Sequence, residues 1–68
     1  MGDSWMYYYA LCGRYYREHG NLKVLHGYLC EGHFLYDWIY NQKRAYWKGQ
    51  LSQEKINLLE LVGINWNL

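Results

Sequence analysis

Apolar and aromatic positions recur at helical spacing in three stretches of this chain, and each stretch is closed by a glycine. The first is Ser4–His19. At roughly 100° per residue, Trp5, Tyr8, Tyr9, Cys12, Tyr16 and His19 gather on one face with Tyr15 at its edge, and this face is expected to be core. Ser4 is placed to cap the N-terminus, and Gly20 to end the helix in a left-handed turn. Gly13 weakens the helix by up to about 1 kcal/mol relative to alanine and leaves room for another backbone. Tyr7, Tyr8 and Tyr9 would suit a strand equally well, but the caps at both ends decide for a helix.

Helical period is lost over residues 21–33, a long loop with Leu22, Val24 and Tyr28 as expected buried anchors. It returns over residues 34–48 and stops at Gly49. Leu35, Trp38, Ile39, Gln42 and Tyr46 form the inward face there, with Tyr36, Tyr40, Lys43, Arg44 and Trp47 on the flank and back. The third stretch has Ser52 as N-cap, Glu54 in the first turn where the helix dipole favours a carboxylate, and Gly63 as its stop. Ile56, Leu59 and Val62, helped by Leu58, point inward. Ile64 then takes the apolar position that follows a Schellman turn, and Trp66 folds back to plug the core. The expected fold is all-α: a small three-helix bundle with an aromatic-rich core and a long ordered loop between helices one and two.

Composition explains how 68 residues suffice. A core this small is usually marginal, but the chain carries nine Tyr, four Trp and one Phe, and each Tyr or Trp can bury roughly 150–250 Å². A hydrophobic share of 51% with only 19% charged residues excludes a disordered chain. No apolar run approaches the roughly 18 residues of a membrane span and no secretory leader is present, so a soluble, cytoplasmic domain is expected. No linker, repeat or charge block divides residues 1–68, which read as one domain.

Candidate chemistry is sparse. The chain has no Walker loop, HExxH, GxGxxG or plausible Ser/His/Asp grouping, so no catalytic activity and no cofactor are expected. Cys12, His19, His26, Cys30 and His33 include one ligand-like spacing, Cys30 to His33, but each has an adequate structural role, and no metal is expected. What stands out is the stripe of Tyr36, Tyr40, Lys43, Arg44, Trp47 and Lys48. Rings beside cations suit a nucleic-acid strand, with bases stacking for roughly 1–3 kcal/mol each and cations meeting phosphates. Residue types alone equally allow these rings to pack inward and the cations to form a solvated face. Arg14, Arg17 and Lys23 would widen the patch if they share its side. With a net charge of +1, affinity must come from local placement rather than from a global field.

The order Trp5, Cys12, Tyr15, Gly20, then Val24, Tyr28, Glu31-Gly32, then Leu35, Trp38, Gln42-Lys43, Tyr46, then Gly49, Leu51-Ser52, and last Leu59, Gly63-Ile64 and Trp66 resembles the helicase-associated domain over nearly the whole chain. That resemblance implies a three-helix module, often in tandem copies, attached to the motor domains of DEAD/DEAH-type helicases. It implies a non-catalytic accessory function in nucleic-acid binding, and it favours the reading of the stripe in which Tyr40, Lys43, Arg44, Trp47 and Lys48 contact DNA or RNA, weakly given the small net charge and without sequence preference. The alternative is a protein-docking module that contacts the parent motor domains, the isolated domain being a monomer. Leu25, Tyr36 and Cys12 stand where the family usually has Pro, Gly and Leu, and Lys43 and Lys55 where it usually has Arg, which keeps the charge but gives up the planar fork that grips phosphate.

Overall fold

Helix ends fall where Ser52 and the glycines put them. The computed structural model describes residues 4–68, in the order α1 (Ser4–His19), β1 (Leu29–Cys30), β2 (His33–Phe34), α2 (Leu35–Trp47) and α3 (Gln53–Leu61). Ser4 is itself helical within α1, so it is not the cap expected of it. At the start of α3 the Ser52 hydroxyl accepts from the Lys55 N–H at 3.2 Å, satisfying one of the first-turn donors. Two helices close in full Schellman motifs. Gly49 and Gln50 donate to the carbonyls of Tyr46 and Ala45 after α2, and Gly63 and Ile64 to those of Glu60 and Leu59 after α3.

The core cluster is mainly aliphatic. Leu11, Cys12, Tyr15, Leu22, Val24, Cys30, Leu35, Ile39 and Val62 are buried together, and Leu59 of α3 is also fully buried. Most aromatic rings surround this centre rather than fill it, because their polar ends need partners that an apolar interior lacks. Trp5 donates from Nε1 to Gln42 Oε1 at 2.8 Å, Tyr9 from its hydroxyl to the Leu58 carbonyl at 2.8 Å, and Tyr15 to the Lys23 carbonyl at 3.1 Å. The rings also stack on one another: Trp5 on Tyr9 at 5.5 Å and Tyr8 on Trp38 at 5.5 Å. The Trp5–Gln42 and Tyr8–Trp38 contacts set α1 against α2, while the Tyr9 bond and the Lys55 ammonium 4.9 Å above the Trp5 ring set it against α3.

Three expectations change. The loop is not wholly irregular: β1 and β2 pair antiparallel, Leu29 with Phe34 and Cys30 with His33, so the molecule is mostly α with one two-stranded ribbon. The turn between them, Glu31-Gly32, has φ of 53° and 78°, the two left-handed residues that a tight hairpin requires. Arg14 holds Glu31 at 2.6 Å and so ties the turn to α1. Trp66 does not plug the core. It lies flat on Tyr46 at 4.2 Å, and its carbonyl accepts from Trp47 Nε1 at 2.6 Å, which fastens the C-terminal tail to the end of α2. His19 and Tyr28, expected inside, are exposed, and both pack on the ring of Tyr15.

Candidate nucleic-acid interface

Helix α2 sorts its residues by face. Leu35 and Ile39 are buried and Trp38, Gln42 and Tyr46 are half-buried, which matches the expected inward set. Tyr36, Tyr40 and Trp47 remain 37, 40 and 60% exposed, so the rings of the outer stripe do not vanish into the core. Tyr36 and Tyr40, one turn apart, lie nearly parallel with an interplanar angle of 13° and centroids 6.5 Å apart. Lys43 continues that row. Arg44 and Lys48 sit one step round the helix, where they line a shallow depression with Asn41, Ala45 and Gln50. The five expected site residues therefore form two adjoining surfaces rather than one patch, and Trp47 carries a tail contact through its ring nitrogen.

The Tyr40 and Lys43 side opens on a cleft of about 210 Å³. Its walls are the loop residues Asn21 to Val24, the α2 residues Tyr36, Ile39, Tyr40 and Lys43, and the tail residues Gly63, Asn65 and Leu68. The loop wall is rigidly built. Asn21 accepts from the Lys23 N–H at 2.9 Å and donates to the His19 carbonyl at 3.1 Å, while the Tyr15 hydroxyl holds the Lys23 carbonyl. Partial burial holds the Lys43 ammonium below the usual lysine value, because leaving water disfavours its charged form. Among the described residues neither Lys43, Arg44 nor Lys48 is paired with a carboxylate.

Of the three outlying cations, only Lys23 joins this side. Arg14 is engaged by Glu31, which pushes its pKa further up through a hydrogen bond and charge attraction. Arg17 lines a separate hollow with Tyr9, Gly13, Tyr16 and Val62, between α1 and the end of α3. Sequence reasoning missed the tail residues Gly63 and Asn65, and nothing in their spacing to α2 could have supplied them. The Cys and His residues do not converge. No group of three or more that could hold a metal occurs among the described residues. Cys12 and Cys30 are free, buried thiols, and burial, aided by Cys30, pushes Cys12 up to about 12. The His33 ring bonds the Tyr8 hydroxyl at 3.0 Å.

This geometry gives the recurrent sequence pattern a physical account. Trp5, Trp38 and Gln42 lock α1 to α2 through a ring contact and a hydrogen bond. Gly49, Ser52, Gly63 and Ile64 cap helices. Trp66 fastens the tail. A family model described as "Helicase associated domain" matches residues 2–67. The chain belongs to the helicase-associated domain family. No curated protein and no solved structure matched. As a helicase-associated domain, the chain is an accessory module of helicase-type proteins and not a catalytic one. Its family signature is largely a folding signature, and of its residues Val24, Lys43 and Gly63 line the cleft, Lys43 alone among them with a charge. Among the described residues no helix is long and apolar enough to cross a membrane.

Proposed function

We propose that this helicase-associated domain is a nucleic-acid-binding module that acts as one unit within a larger helicase-type protein. In this reading Lys43, Arg44 and Lys48 contact phosphates, while Tyr40 and Trp47 offer faces to bases. The observation that carries the reading is the company these residues keep. Three cations without carboxylate partners among the described residues stand beside two exposed rings on a single helix. Acids at helical spacing would engage such cations, and among the described residues no ion pair does so. The partial dehydration of Lys43 supports the same reading, since a nearby phosphate offsets that cost.

The test is a chemical-shift titration with short oligonucleotides at about 50 mM salt, where phosphate contacts are weakly screened. Resonances of α2 should move. The double variant Lys43→Glu, Lys48→Glu should abolish binding while leaving the spectrum dispersed, because neither side chain is in the buried core. Undiminished binding in the double variant would overturn the assignment. One observation favours a second reading, docking on a protein surface: the cross-strand neighbours Leu29 and Phe34 are 55 and 53% exposed, and such apolar pairs often mark contact sites.

A further inference from the structure

We propose that the cleft between the α1–α2 loop, α2 and the C-terminal tail receives one unpaired base, so that the domain prefers single-stranded nucleic acid to duplex. This rests on the nucleic-acid reading above and specifies which form of the ligand its surface accepts.

Size is the first argument. Pockets that enclose drug-sized ligands run to about 300–1,000 Å³. A cleft of about 210 Å³ falls below that range and suits a single ring system better than a whole nucleotide. Shape is the second. The near-parallel rings of Tyr36 and Tyr40, one helical turn apart, line one side of it, and buried Leu22, Val24 and Ile39 supply an apolar floor. A base offers such a wall its face only when it has left its own stack, because in a duplex both faces are covered by neighbouring pairs.

Polarity is the third argument. Among the described residues the hydroxyls of Tyr36 and Tyr40 and the ammonium groups of Lys23 and Lys43 make no hydrogen bond or ion pair. Asn65 uses only its Oδ1, accepting from the Asn67 N–H at 3.0 Å, and keeps its amide donors free. Asn21, by contrast, has its oxygen and nitrogen already engaged. The free groups at the rim are thus mostly donors, and two are cations. Their complement is a ring edge rich in carbonyl and ring-nitrogen acceptors, flanked by phosphates. Arg44 and Lys48, one step round α2, are placed for the next phosphates along a strand.

The experiment compares three ten-residue probes on the full chain at about 50 mM salt: a thymidine single strand, an abasic strand with the same phosphates, and a duplex. The thymidine strand should bind about tenfold more tightly than the abasic strand, as expected for one stacked base. It should also bind more tightly than the duplex, although the duplex carries twice the phosphates. Only the thymidine strand should shift the amides of Val24, Gly63 and Asn65. Tyr40→Ala should bring thymidine binding down to the level of the abasic strand. Equal affinity for thymidine and abasic strands, or tighter duplex binding, would overturn the cleft assignment while leaving phosphate binding by α2 intact. Binding of none of the probes would overturn both.

Discussion

Burial gives Cys12 a chemistry opposite to that of a reactive thiol. The folded protein keeps its proton to about 12, against an ordinary value of 9.0. Between those values the unfolded chain binds fewer protons than the folded one. Stability is therefore complete below about pH 9 and falls as pH rises, by about 1.4 kcal/mol per unit through the window. The tyrosines also titrate there, so Cys12→Ala provides the comparison. Urea midpoints measured from about pH 8 to pH 10.5 should fall more steeply for the parent than for the variant, and parallel curves would show that the thiol is not held protonated. Individual residues were only partly legible in the sequence. Within α1, Cys12 is fully buried as expected, but the buried face also takes in Leu11, which periodicity left out, and Tyr15, which it set at the edge. A hydrophobicity count treats a tyrosine ring as core, but its hydroxyl draws the ring to wherever an acceptor lies, as the Tyr9 bond to Leu58 shows.

Helix boundaries were the most legible feature, because caps depend on short-range chemistry that the sequence displays directly. The segment expected over 34–48 is α2 at Leu35–Trp47, and Gly49 and Gly63 stop their helices as expected. The hairpin was not legible. Glu31-Gly32 is a weaker turn signal than Asn-Gly or Asp-Gly, and strands of two residues leave no alternation to read. The two Schellman glycines yield a contrast at this scale. Gly49, at φ 69°, faces open space, so Gly49→Ala adds only the left-handed strain of about 1–2 kcal/mol. Gly63, at φ 77°, would bring a methyl carbon to 3.0 Å from the Tyr16 ring. That ring must yield, so Gly63→Ala should lower the melting temperature clearly more than Gly49→Ala. Equal losses would mean that the α3 cap does not rest on Tyr16. Trp66→Ala should cost less than the roughly 3–5 kcal/mol of a core tryptophan, because the ring stacks on Tyr46 at the periphery.

For the molecule as a whole, the sequence pointed to α2 as the chemical face but not to the cleft beside it. Lys23, Lys43 and Asn65 come together only because the tail folds back over the loop after α1, and no local pattern encodes that approach. The charge balance limits what one copy can do. With a net charge of +1, a single domain should bind in the non-specific range of roughly 10⁻⁴–10⁻⁶ M. Linkage to further copies or to motor domains would raise this through effective concentration. If phosphate contacts by α2 drive binding, oligonucleotide affinity must fall as salt rises. Three contacts, through Lys43, Arg44 and Lys48, predict a log–log slope of about −2 to −3. A slope near zero, with affinity unchanged as salt rises, would contradict binding through phosphates and make this helicase-associated domain a protein-docking module instead.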